Sequence, residues 1–156
     1  MNTTTFITRE RPASRLFAPV ELLQTVFAAL NERNIRGVID QFADDFTFSD
    51  YALGLEFTDK KSLTEFFQKS FTLFRDTGVE LVSTFECDDH AIAEWKLTGP
   101  QIEQFGSRSY RFPISLSGST IVQEKHGRIV RWSDYYDKLT SRRGPLKAFF
   151  EEWIEY

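Results

Sequence analysis

Gly127-Arg128-Ile129-Val130-Arg131-Trp132-Ser133-Asp134-Tyr135-Tyr136-Asp137 is the stretch whose phase decides the fold. Successive side chains of a strand point to opposite faces, so Val130, Trp132 and Tyr136 share an apolar side. Asp134 falls on that same side, whereas Asp137 is out of phase with it. Lys125-His126-Gly127, just before, reads as a turn. Residues 107–125 read as a long strand in which Pro113 and Gly118 mark an edge or a bulge. Further back, Val79–Glu86 and Ala91–Thr98 form a hairpin about Asp88-Asp89, with Gly99-Pro100 breaking its second strand. The second half of the chain is a run of antiparallel strands.

The first half has a different period. Pro19 opens a helix in which Leu22, Val26 and Leu30 stack at i, i+4 and i+8. Ile35, Val38, Ile39 and Phe42 then follow i, i+3, i+4 and i+7, a second short helix. Phe46-Thr47-Phe48-Ser49-Asp50 alternates as a half-buried strand does, with Asp50 in phase with Phe46 and Phe48. Residues 51–58 form a loop or short strand. Asp59, or the pair Ser62 and Glu65, caps a third helix with one wide face of Leu63, Phe66, Phe67, Phe71 and Phe74; Gly78 ends it.

Helices and strands that segregate along a chain mean α+β. A curved antiparallel sheet folded over the N-terminal helices makes a cone with an apolar interior. Residues 1–18 read as a flexible tail and residues 19–138 as one domain. Residues 139–156 read as an extension whose closing helix starts at Pro145 and carries Leu146, Phe149, Phe150, Trp153 and Ile154.

Composition narrows the function classes. A chain of 156 residues can bury one real core. No apolar run approaches the roughly 18 residues of a membrane span. The net charge is −4, which disfavours a nucleic-acid partner. The single cysteine, Cys87, allows no disulfide within the chain, which suits the cytoplasm. Its neighbours Glu86, Asp88 and Asp89 disfavour a thiolate, so Cys87 reads as a strand-end residue. The sequence contains no dinucleotide fingerprint, phosphate loop or nucleophile elbow, and His90 and His126 lack metal-ligand spacing. Neither a cofactor nor a metal is expected.

What remains is a pair of carboxylates, Asp50 and Asp134, in register with aromatic faces. A buried carboxylate needs a partner, a proton or a cavity with water. An apolar setting raises its pKa and makes it a useful acid or base near neutrality. Phe48, Trp132, Tyr136 and Tyr51 are the expected pocket neighbours. On the middle strand Glu94 and Lys96 alternate with Trp95 and Leu97, so either Glu94 or Trp95 faces the pocket.

Phe42-Ala43-Asp44-Asp45, a strand ending in Asp50, and the motif Gly127–Asp137 together resemble the nuclear transport factor 2-like superfamily. Within it the chain looks most like SnoaL-like and ketosteroid isomerase-like proteins, over roughly residues 19–138. The resemblance implies a cone-shaped pocket for a small apolar, oxygenated substrate or ligand and a homodimer formed through the sheet. It implies cofactor-independent acid–base chemistry of isomerase, cyclase, dehydratase or hydrolase type, or a non-catalytic binding or dimerisation module. Asp50 falls where ketosteroid isomerases keep a proton-shuttling aspartate. Val26 and Ser119 stand where those isomerases build their oxyanion hole. Asp134 matches an aspartate of limonene epoxide hydrolase-like enzymes, whose Arg-x-Asp partner would fall near Trp95 and Leu97. SnoaL-like cyclases likewise place an acid–base aspartate on the late strands.

Overall fold

The computed structural model describes residues 18–137. The expected N-terminal tail, up to residue 17, and the closing helix from Pro145 lie outside the described residues. The elements in chain order are α1 (Pro19–Asn31), α2 (Ile35–Ile39), β1 (Phe42–Asp50), β2 (Leu55–Phe57), α3 (Lys60–Leu73), β3 (Gly78–Cys87), β4 (His90–Phe105), β5 (Arg108–Lys125) and β6 (Arg128–Tyr136). The architecture is α+β: one curved six-stranded sheet in the order β2-β1-β6-β5-β4-β3, folded over the helices.

The helices form where the periodicity places them. Pro19 sits in the first turn of α1, and Leu22, Leu23, Val26 and Phe27 are buried along one face. Asp59 caps α3 by accepting from Ser62 N, so of the two capping schemes the aspartate prevails. α2 stops at Ile39, and Phe42 already belongs to β1. Phe42 is still buried, because strand and helix both turn it toward the core.

Three strand expectations need correction. First, the sheet is not wholly antiparallel, because β1 pairs with β6 in parallel. β6 arrives after β2, α3 and three further strands, and so long a crossover permits parallel pairing. Second, β4 does not break at Gly99-Pro100; it stays paired with β5 as far as Phe105↔Arg108. Gly99 adopts φ +136°, and a Cβ there would sit 2.8 Å from the Asp76 carbonyl oxygen. Glycine thus lets β4 slip past the turn between α3 and β3. Third, Gly118 is neither edge nor bulge. It lies mid-strand, flanked by Trp95 on β4 and Tyr136 on β6. Pro113 does sit at an edge on the β6 side, beyond the last β5–β6 pair among the described residues.

The phase of β6 also differs at its start. The β5 register passes from Gln123↔Arg131 to Glu124↔Ile129, leaving Val130 as an extra residue. Such a bulge reverses the inward face. Ile129 is therefore fully buried and Val130 is not. From Arg131 onward the alternation holds, and β1 matches it residue for residue: Phe48↔Trp132, Ser49↔Ser133, Asp50↔Asp134.

Candidate active site

Parallel register is what brings the two carboxylates together. Asp50 and Asp134 are direct neighbours on β1 and β6, on strands that run about 4.8 Å apart. Two residues earlier on each strand, Phe48 and Trp132 stack with centroids 6.0 Å apart and planes 7° apart. Both aromatics are 2% exposed. The aromatic stack fills the sheet's inner face, and the carboxylates stand just past it.

They open onto a cavity of about 500 Å³, within the usual range for small-molecule sites. Its walls are mostly apolar, with Phe27 and Leu30 from α1, Phe67 and Phe71 from α3, and Leu97 and Leu116 from the sheet. Asp50, Thr120, Trp132, Asp134, Tyr136 and Trp95 form its polar end.

Two short hydrogen-bond chains organise that end. Tyr136 Oη donates to Asp50 Oδ2 at 2.8 Å, and the Leu53 N–H donates to Asp50 Oδ1 at 2.9 Å. Trp95 Nε1 donates to Thr120 Oγ1 at 2.9 Å, and Thr120 Oγ1 donates to Asp134 Oδ1 at 2.5 Å. Gly118 makes the second chain possible. A Cβ there would lie 2.4 Å from Trp95 Cζ2, so only glycine leaves room for the indole.

Asp134 keeps some accessible surface because it faces the cavity, yet it sits deep in protein. Loss of water is the largest influence and pushes its pKa from 3.8 to about 7, with the Asp50 charge adding to the rise. The Thr120 hydroxyl and the nearby Trp132 indole oppose the shift by favouring the carboxylate. Burial, reinforced by the hydrogen bond to Asp50, pushes the Tyr136 hydroxyl above its usual range, so Tyr136 stays a proton donor at neutral pH.

The structure brings together Asp50, Asp134, Trp132, Tyr136 and Trp95, and leaves three other expected neighbours off the wall. Phe48 is core beneath the site, wedged between Trp132 and the α3 residues Phe66 and Phe67. Tyr51 is 54% exposed and stacks on Tyr135 at 4.8 Å. It lies one residue past Asp50 and so turns to the outer face. Glu94 is also on the outer face, exposed, where it accepts from Ser83 Oγ at 2.9 Å. The inward residue of β4 is Trp95.

Thr120 was missed. Its signal was a polar residue two positions before Val122, in the buried phase of β5. Arg33 was missed as well, and no sequence feature marks it. Its guanidinium donates to the carbonyls of Leu30 at 2.8 Å, Phe74 at 2.7 Å, and Thr77. It thereby fastens the end of α1 to the turn after α3, along the cavity wall.

A cone of sheet over helices, with a carboxylate pair at the head of an apolar cavity, defines the class of small α+β pocket proteins. The family model described as SnoaL-like domain matches residues 23–132, and the chain belongs to that family. A protein from Shewanella putrefaciens CN-32 classed as a SnoaL-like polyketide cyclase superposes with a TM-score of 0.73 at 14% identity, covering 83% of this chain and 96% of that one. A ketosteroid isomerase-like fold from Catenulispora acidiphila, solved in complex with trimethylamine, gives 0.68 at 18% identity, covering 82% and 93%. An LEH-like epoxide hydrolase of M. tuberculosis gives 0.63 at 12% identity, covering 88% and 96%. At such identities the likeness concerns the fold. No curated protein matches the chain. Among the described residues, no helix is long and apolar enough to cross a membrane.

Proposed function

We propose that this protein is a cofactor-independent acid–base enzyme that moves a proton next to the carbonyl of a small, mostly apolar substrate. One observation carries the reading: Asp134, with a pKa near 7, stands beside Asp50 at the polar end of an apolar cavity. Two neighbouring carboxyl groups in different surroundings suit opposite roles. Asp134 is the general acid. Asp50, which accepts hydrogen bonds from Tyr136 and Leu53, is the general base.

The step balances as follows. Asp50 takes a proton from the carbon next to the carbonyl. The C–H electron pair becomes a C=C bond, and the carbonyl π pair moves onto oxygen. Asp134 gives that oxygen its proton. Reversal at the same carbon exchanges hydrogen, and return at a different carbon isomerises. Acid or base assistance of this kind contributes typically 10²–10⁴-fold.

The test is isotope exchange. A panel of apolar ketones, 1-tetralone among them, is incubated in D₂O with the protein, and loss of the α-proton signal is followed by NMR. Exchange is expected to exceed the buffer rate. It should fall as pH rises through about 7, because Asp134 then loses the proton it donates. Binding with no exchange anywhere in the panel would leave a non-catalytic ligand-binding module.

For the partner, we propose a second copy of this chain against the outer face of the sheet. Phe85, 63% exposed, pairs across β3–β4 with Ile92, 42% exposed. Light scattering should give a dimer mass, lost on Phe85→Glu. A monomeric wild type overturns this.

A further inference from the structure

The two walls of the cavity differ in charge. Its carboxylates, Asp50 and Asp134, stand on the sheet, and its cations, Arg33 and Lys69, stand on the helical side. Arg33 is committed, because its guanidinium donates to the carbonyls of Leu30, Phe74 and Thr77. The uncharged polar groups of that wall are committed as well. Asn31 exchanges hydrogen bonds with the Val79 backbone, Ser70 Oγ donates to the Phe66 carbonyl, and Thr77 Oγ1 donates to the Phe74 carbonyl. Lys69 is different. Glu65 stands four residues before it on α3, the spacing of a favourable helical ion pair. That pair does not form, and among the described residues the Lys69 ammonium has neither a carboxylate partner nor a hydrogen bond.

Its place follows from the course of α3 along β1. Lys60 pairs with Asp44, and Phe66 and Phe67 pack on Phe48. Both elements continue in the same direction, so Lys69 lies beyond the aromatic stack, as Asp50 does, but across the cavity from it. Lys69 is exposed, and its companions on the cavity lining, Leu53 and Leu73, are 46% and 41% exposed. An unpaired cation therefore stands on an apolar rim where the cavity meets water.

We infer that Lys69 is a specificity-determining residue that pairs with a carboxylate at the outer end of an apolar ligand whose carbonyl faces Asp50 and Asp134. The inference rests on the reading that the cavity is the substrate site, and it narrows the substrate class to keto acids. Charge placement supports it. Beside Asp50 an anion is repelled, and against the apolar walls it loses its water without compensation. At the rim it keeps part of its hydration and gains a cation, while the apolar body fills the cavity.

The probes are 4-carboxy-1-tetralone and its uncharged 4-carboxamide, in which the substituent lies across the ring from the keto group. Affinities are measured by calorimetry at low ionic strength and about pH 6, where the carboxyl probe is ionised. The carboxylate is expected to bind about 5-fold tighter than the amide, the upper range for an ion pair that water still reaches. The preference should shrink in high salt. Lys69→Gln should abolish it and Lys69→Arg should keep it; an exposed site tolerates both changes. Lys61→Gln removes a lysine of the same helix that does not line the cavity, and should keep the preference. Equal affinity of the two probes, a tighter amide, or a preference that survives Lys69→Gln or is lost equally in Lys61→Gln overturns the inference and leaves the pocket reading standing. If neither probe nor 1-tetralone binds, the pocket reading falls and takes the inference with it.

Discussion

β1 and β6 each run from a packed region into a hollow one along the same inward face. In the packed region Phe42, Phe46, Phe48, Ile129 and Trp132 are no more than 2% exposed. α1 and α3 cover them, and ring contacts join Phe42, Phe48 and Trp132. Two residues further on, the same alternation delivers Asp50 and Asp134 into a cavity, and two residues later on β6 it delivers Tyr136. The strand geometry does not change at that boundary; what changes is whether a side chain or open space lies opposite. The packed end holds the strands in register, and that register is what sets two carboxyls side by side where burial alters the acidity of Asp134.

The sharpest way to break this comparison is Asp134→Asn. The amide keeps the shape and still accepts from Thr120, so the packed region is untouched. Exchange of tetralone α-protons should nevertheless slow by about 10²–10⁴-fold, and the decline through pH 7 should vanish. Unchanged exchange would remove Asp134 from the chemistry. Asp50→Asn should also slow exchange by roughly 10²-fold or more, yet keep a descending limb, because that limb belongs to Asp134; the limb should move to lower pH, since the Asp50 charge no longer raises the Asp134 pKa.

Phe42→Ala tests the other region. Phe42 touches Phe46, Phe48 and Trp132 rings at 5.1, 6.3 and 6.0 Å. Truncation should cost about 3–5 kcal/mol of stability, read by chemical denaturation. Tetralone affinity should change little wherever the variant remains folded. A large affinity loss with intact stability would mean that the two regions are not separable.

Much of this division was legible in the sequence. Period-2 alternation placed Asp50 with Phe48 and Asp134 with Trp132, because side-chain direction in a strand is fixed by local geometry. The helix faces of α1 and α3 were legible for the same reason. What periodicity could not show was anything dependent on partner strands. The parallel pairing of β1 and β6 is a long-range choice. The bulge at Val130 is a mismatch between two registers. The choice between Trp95 and Glu94 depended on which face of β4 met the core, and both alternations were equally regular. Thr120 and Arg33 were missed because their roles come from contacts with Trp95, Asp134 and the turn after α3, distant in sequence.

Stability against pH gives a third, smaller contrast. Asp134 is raised from 3.8 to about 7 in the folded protein. The folded state therefore holds a proton that the unfolded chain releases between those values. Stability from this group is fully present below about pH 4, falls as pH rises and reaches its floor above pH 7. The full difference corresponds to at most about 4 kcal/mol. Asp134→Asn, which cannot ionise, should melt with the wild type at pH 4 and above it at pH 8. An Asp134→Asn protein less stable at pH 8 would mean that the carboxylate is better accommodated than its burial implies.

The mildest perturbation falls between the two regions. Thr120 is fully buried and links Trp95 to Asp134. Thr120→Val keeps the volume and removes only the hydroxyl. Two consequences separate by pH. The Trp95 N–H loses its acceptor at every pH, which should cost about 1–3 kcal/mol. Asp134 loses the donor that favoured its charged form, so its pKa should climb above 7 by about one pH unit, the value of a hydrogen bond to a charged group. The isotope-exchange profile should then keep its acid-side rate and extend its plateau upward, while denaturation shows a modest loss at pH 4. A profile that stays put would mean that Thr120 serves Trp95 alone. The hydroxyl would then be part of the packed region, and the boundary between packing and chemistry would run through the 2.5 Å contact between Thr120 and Asp134.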